Sequence, residues 1–289
     1  MIPRHVATMA ALTVREIARR RVLWVLGGLA VGSVALVGFG VERLVSLARE
    51  EGVSEIQLQV GVSQVLILIA FMFSFVLAMS AAFLSAPAVA GDVESGVALA
   101  LLARPISRAD LLLGRWLGLT AVVGGYTVGS GLLAIGVVRL VSGYGPPLPF
   151  LAVGFLAFQA TVVMTLALVL GTRLPGMAAG AVSVVGFGLA WFGGVLGGIA
   201  AVFEATALVR ATELLRVLMP TDALWRGVVY SLEPPLAVLL ARGAGSSEVR
   251  QANPFFADAP PSPVITVWAA VWIVLALAAG AWTFRRRPL

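Results

Sequence analysis

The charged side chains best placed to do work in this chain gather between two long apolar runs. They lie in Gly91-Asp92-Val93-Glu94-Ser95-Gly96, then Leu101-Leu102-Ala103-Arg104-Pro105-Ile106-Ser107-Arg108-Ala109-Asp110, then Gly114-Arg115. Carboxylates and guanidiniums so interleaved make an ordered, doubly charged surface, the kind through which a membrane machine without its own motor receives work. Other chemistry is missing. A phosphate-binding loop of the G-x-x-x-x-G-K-[ST] type needs its lysine, and all twenty basic residues here are arginine. With His5 as the sole histidine and no cysteine, a zinc hydrolase site is excluded as well. No catalytic residue, cofactor or metal site is expected.

The elements that carry this surface are apolar. The 289 residues are 60% hydrophobic and only 12% charged, with mean hydropathy +1.01, where a soluble domain carries about a quarter charged residues. A hydrocarbon core of roughly 30 Å takes about 20 helical residues. Six runs are long enough: 22–41, 62–86, 116–138, 150–171, 177–203 and 264–284, and none contains Asp, Glu, Lys, Arg or His. Their mid-span polar groups are hydroxyls and an amide, among them Ser74, Thr127, Ser130, Gln159 and Thr165. Those either line a path for an amphipathic substrate or bond their own helix carbonyls.

Arginine distribution orients the chain. Arg4, Arg15, Arg19–Arg21, Arg104, Arg108, Arg115, Arg173 and Arg285–Arg287 mark one side, which the positive-inside tendency makes cytoplasmic. Glu42, Glu50, Glu51 and Glu55 crowd the first outer loop. Both termini are expected inside the cell membrane of a prokaryote, and the net charge of +6 speaks for anionic lipid and not for nucleic acid. The first span lacks a cleavage site after its apolar run and reads as an uncleaved anchor.

Between the spans, Val6, Met9, Ala10, Thr13 and Ile17 recur at helical spacing within 1–21, predicting a helix that lies in the membrane surface. Over 87–115, Pro87 follows the second span and a short helix is expected from Asp92 to Ala103. Pro105 turns the chain at Arg104, and Ser107 opens a new helix with Asp110 in capping-box position. Gly176 and Gly180, Gly193 and Gly197, and Gly194 and Gly198 are each four apart, a spacing that lets helices approach closely, either within the chain or against a second copy. In 204–263, Leu208, Leu215 and Leu218 mark one amphipathic helix. Pro220-Thr221-Asp222 stops it and caps a second, and both are expected at the outer interface.

The elbow motif, the basic lead-in ending Arg19-Arg20-Arg21, the six spans, Pro220-Thr221-Asp222-Ala223-Leu224-Trp225-Arg226-Gly227 and the closing Phe284-Arg285-Arg286-Arg287 together resemble type-2 ABC transporter permeases, the membrane subunits of ATP-driven exporters. Val97 and Arg115 depart from the family pattern, where Thr and Lys are frequent. The resemblance implies an elbow seated in a separate cytoplasmic ATPase subunit. Asp92, Glu94, Arg104, Arg108 and Asp110 would then be coupling contacts, with Pro105 and Ser107 fixing the angle. It also implies two ATPase copies and a second permease copy, identical or not.

The expected fold is an all-α integral membrane protein forming a single domain over 1–289. It has six transmembrane helices, an N-terminal interfacial helix, a cytoplasmic coupling elbow and short outer helices before the last span. A gradient-driven carrier and a non-transporting membrane scaffold are the alternative functions, and the absence of ionisable groups from the spans argues against the first.

Overall fold

The computed structural model describes residues 4–19, 22–97, 106–203, 205–244 and 253–287. Among them the chain is all-α, and six of its helices are long and apolar enough to cross a membrane. In order the helices are α1 (Arg4–Arg19), α2 (Val22–Glu50), α3 (Glu55–Ser85), α4 (Pro87–Glu94), α5 (Arg108–Ser142), α6 (Pro149–Leu170), α7 (Gly176–Val202), α8 (Thr206–Leu218), α9 (Thr221–Leu232), α10 (Pro235–Ala244) and α11 (Pro263–Arg285). The spans lie in α2, α3, α5, α6, α7 and α11. Several outrun their apolar stretch: α5 has 35 residues, about 52 Å at 1.5 Å per residue.

Helix starts and stops follow local chemistry. Ser54 accepts from the Gln57 amide while the Gln57 side chain returns to the Ser54 N–H, a reciprocal cap on α3. Gly143, at φ 76°, closes α5 in the left-handed region that favours glycine. Pro87 does not end the second span. Ala86 keeps helical angles (φ −55°, ψ −47°), and α4 continues the run as far as Glu94. Proline suits a first helical turn, where its missing N–H is least costly. The stop comes at Ser95–Gly96, with Gly96 at φ 73°, so the helix expected from Asp92 to Ala103 is broken near its beginning.

α6 stands at the centre, packed by α3, α5, α7, α9 and α11. Phe71 anchors an aromatic cluster, with Phe75, Trp191 and Phe255 at 5.0–5.1 Å and Trp225 at 5.6 Å between ring centroids, spacings at which aromatic pairs add to simple burial.

α8 and α9 depart from the sequence expectation. They form a hairpin that folds back into the bundle from the end remote from the termini. Side chains of α8 lie against the glycines of α7, Thr212 facing Gly197 and Leu215 facing Gly193, and Met219 at the tip reaches Gly186. α9 then climbs along α6, with Gly227 against Phe155 and the Ser231 carbonyl accepting from the Leu148 N–H at 3.3 Å. Leu224 joins Val162, Ala269 and Ile273 in one apolar cluster. Val162 lies thirteen residues into α6, about 20 Å from its start. Ten of the twelve residues of α9 are buried, so this helix is a core element and not an interfacial one.

The apolar stripe of α1 is buried as well. Val6, Met9, Thr13 and Ile17 are its buried residues, and they face α5, the helix against which α1 chiefly packs, so protein and not lipid covers the stripe. Contact is close because α5 presents Gly114 and Gly118. A methyl group built at Gly118 would stand 2.7 Å from the Ala10 carbonyl oxygen and 2.6 Å from Thr13 Cβ, inside van der Waals separation. Gly118→Val should therefore lower stability by about 1–3 kcal/mol through overpacking and expose α1 to protease. Gly124→Ala, whose methyl group meets nothing within 4 Å, should do neither. Thermal unfolding and limited proteolysis of the detergent-solubilised protein check both.

Candidate functional site

At the end of the bundle that holds both termini, one guanidinium joins three helices. Arg115, two turns into α5, donates from Nε and Nη2 to the Asp92 carboxylate of α4 (3.1, 3.0 and 2.8 Å). Its Nη1 reaches Glu16 Oε2 of α1 at 2.6 Å and Thr13 Oγ1 at 3.4 Å. The side chain is 11% exposed and that of Asp92 14%. A fork gripped by two carboxylates in a half-dry setting has charge-assisted bonds and fixed geometry. Asp92, expected as a contact for a partner, is thus turned inward and spent on holding α4 to α5.

Arg108 is turned inward too. Its Nη1 donates to the carbonyls of Phe284 (2.8 Å), Arg285 (3.1 Å) and Arg287 (2.5 Å). Arg173 Nη2 adds a bond to the Thr283 carbonyl at 2.9 Å, and Arg287 Nη1 donates to the Thr172 carbonyl at 2.7 Å. The last carbonyls of a helix lack intrahelical partners and carry its negative pole. Arg108 and Arg173 therefore seal the end of α11 and fasten it to α5 and to the α6–α7 turn.

Between these fastenings lies the elbow. Ser107 and Asp110 cap α5 reciprocally, with Ser107 Oγ 2.7 Å from Asp110 Oδ2 and the Asp110 N–H donating to Ser107 Oγ at 3.0 Å. Glu94, Ser95, Gly96 and Val97 are exposed. Arg104 and Pro105 lie outside the described residues. Sequence reasoning cast Asp92, Arg108 and Asp110 as outward contacts. In the fold the first two brace the elbow from behind, the third caps α5, and Glu94 faces out.

The glycines of α7 meet the same chain. Gly176 lies against Pro87, Gly180 against Phe83, Gly193 against Leu215, Gly194 against Asp222 and Gly197 against Thr212, while Gly198 is buried.

A second ionic group sits at the tip of the α8–α9 hairpin. Asp222 is 4% exposed; Arg216 Nε lies 3.1 Å and Arg226 Nε 3.6 Å from its Oδ2. Arg216 holds that carboxylate by a hydrogen bond and Arg226 as an ion pair. The spans themselves hold no Asp, Glu, Lys, Arg or His, but the hairpin, expected at the outer interface, carries three charged side chains in among them. These groups are mutually paired, as charges at such depth must be. Their signal in the sequence is an Arg four residues after Asp222 and another six before it.

At the far end of α9, Glu233 is 1% exposed, and among the described residues the Ala257 backbone amide is near its carboxylate without making a well-formed hydrogen bond to it. Burial, with a smaller contribution from the charge of Asp258 and against a pull from the Ala257 backbone amide, pushes its carboxyl up to about 8. Neighbouring Tyr144, whose hydroxyl donates to the Leu232 carbonyl at 2.6 Å, is raised by burial and by Glu233.

Two predictions follow from these groups. Arg115→Ala strands two carboxylates and should cost about 3 kcal/mol, with Arg115→Lys recovering only part because an ammonium cannot fork; thermal unfolding of purified variants checks this. For Glu233, the folded carboxyl holds its proton up to about pH 8, while an unfolded chain releases it near 4.5. Its contribution is thus fully present below pH 4.5, declines as pH rises, and levels off above 8. Glu233→Gln should remove that slope, so the variant gains on the parent from pH 5 to 8 and keeps a constant lead above. Melting temperatures across that range give the readout.

Compared with known families, residues 7–289 match the family model described as ABC-2 family transporter protein. No curated protein matches the chain.

Proposed function

The chain belongs to the ABC-2 family of transporter proteins, and from that premise we propose that it is the membrane subunit of an ATP-driven exporter, coupled through its elbow to a separate ATPase. As a member of that family it is a multi-pass membrane permease. The bracing of the elbow supports the finer reading. Arg115 ties α4 to α5 and α1, and Arg108 ties the start of α5 to the end of α11, so a push on the exposed Glu94–Val97 turn reaches four helices without an intervening soft joint. Motion of packed elements as rigid bodies is how such loads travel.

In this reading the termini and the elbow are cytoplasmic, and the permease works as two copies, identical or paired with a homologue. Two ATPases sit beneath, each receiving one elbow. ATP closes the ATPase pair and draws the elbows together, and the braced helices carry that displacement to the far end of the bundle. Hydrolysis belongs to the partner; this chain supplies the membrane path and the joint, and takes neither cofactor nor nucleic acid. Glu94 and Arg104 are the charges assigned to the partner, with Pro105 and Ser107 setting the angle of approach. Asp92, Arg108 and Asp110 act from within, by holding that surface in place.

The test exchanges the outward charges and spares the inward ones. Glu94→Arg combined with Arg104→Glu should cut ATPase co-purification and transport at least about tenfold, the loss of two charged contacts at an interface rim, with membrane insertion and thermal stability unchanged. Undiminished co-purification and transport would overturn the coupling role.

A further inference from the structure

An apolar groove of about 560 Å³ opens on the membrane-facing side between α2 and α3, with α5 and α6 forming its floor. That volume is within the range of small-molecule sites. Its lips are Leu36 on α2 and Leu68 and Met72 on α3, all more than half exposed, and its floor includes Ser130, Ile135 and Val153. Walls this apolar do not hold water, and an unfilled slot at hydrocarbon depth would forfeit the dispersion contacts of its lining.

The two lips continue toward the end of the bundle remote from the termini, and each ends in an exposed polar side chain. On α2, Arg43 lies seven residues beyond Leu36, two turns along the same face. On α3, Gln64 lies one turn beyond Leu68. Both are exposed. α2 and α3 are antiparallel neighbours joined by residues 51–54, which puts Arg43 and Gln64 within about one turn of each other in height. The Arg43 guanidinium stands over the Phe39 ring at 5.4 Å and makes no ion pair or side-chain hydrogen bond among the described residues; the Gln64 amide makes no hydrogen bond among them either. Gln64 is the third residue of the apolar run 62–86, so its amide stands at the outer margin of the hydrocarbon, where glycerol esters lie.

We propose that this groove is a binding site for a membrane glycerophospholipid with an anionic headgroup. One acyl chain lies between α2 and α3, the Gln64 amide donates to the glycerol ester, and Arg43 pairs with the phosphate and the headgroup charge. The assignment stands on the shape and polarity of the groove and does not depend on the coupling role of the elbow. An acyl chain matches the dry walls; a cation and an amide donor at one end match the polar end of the same molecule. The α8–α9 hairpin reaches the groove floor through Leu232, so occupancy bears on an element at the heart of the bundle.

The probe is native mass spectrometry of the full chain, purified in mild detergent and exchanged into mixed phosphatidylglycerol and phosphatidylethanolamine. The parent protein should retain phosphatidylglycerol in preference. Arg43→Ala should reduce that preference about fivefold, the worth of one cation near a headgroup, and Arg43→Lys should restore most of it. Gln64→Leu should weaken retention of both lipids, as should filling the slot with Ala134→Trp. Arg43 and Gln64 are exposed, so their variants keep the fold, and matching melting temperatures confirm it.

Unchanged phosphatidylglycerol retention in Arg43→Ala with Gln64→Leu would overturn the site. A second copy as occupant would overturn it too. The chain has no cysteine, so Leu36→Cys introduces a unique thiol, and efficient disulfide formation between copies in native membranes would reveal protein covering the groove.

Discussion

The forked ion pair of Arg115 with Asp92 and Glu16 sets how α1, α4 and α5 meet at the terminal end of this protein. Three helices arriving from different parts of the chain meet at one guanidinium whose planar donors fix direction as well as distance. The glycine immediately before it, Gly114, lies against Met9 and the Val6 carbonyl. The charge and the close approach thus act on the same turn of α5: contact without the ion pair would leave α1 free to slide, and the ion pair without contact would leave it free to rock. The heading of α4 follows from Asp92, and with it the position of the exposed turn that ends at Gly96.

Small residues do at the other end what Gly114 and Gly118 do here. Along α7, Gly193, Gly194 and Gly197 make room for Leu215, Asp222 and Thr212, and the hairpin enters because the span beside it lacks side chains on that face. Backbone proximity replaces the hydrophobic drive that lipid withholds between helices. The bulkier Phe71, Phe75, Trp191 and Trp225 fill the space between. The bundle is therefore tight where an added element must dock and aromatic where spans merely need filling.

Much of this architecture was readable along the chain, because it depends on local or periodic signals. Six apolar runs correspond to six long helices, and Ser107 with Asp110 spells a cap within three residues. The stripe Val6, Met9, Thr13, Ile17 was readable as well, though its partner was not: the same pattern suits a lipid surface or a glycine-bearing helix, and only the fold distinguishes them. Arg108 is an outward contact by resemblance alone, and nothing local signals otherwise, because the carbonyls it caps lie 176 or more residues away. Asp222 follows Pro220-Thr221 as a capping residue would, and in the fold its carboxylate meets Arg216 and Arg226. Both helices of the hairpin are legible as amphipathic segments, but their entry into the bundle is not, because Arg210, Glu213 and Arg216 give α8 the hydropathy of an interfacial helix. Burial of α9 is a property of α3, α6 and α7 as much as of its own residues.

That hairpin bears on how topology can be mapped. A reporter fused anywhere between residues 206 and 232 deletes α11, whose Ala269 and Ile273 cover Leu224, and a fusion after Asp222 but before Arg226 also leaves that carboxylate without one of its two cations. Such truncations present acyl chains with a carboxylate and an incomplete shell around it, so the enzyme tag reports on a damaged molecule. Only insertions that keep the downstream sequence would read the native path of this segment, and a plain count of apolar runs misses it altogether.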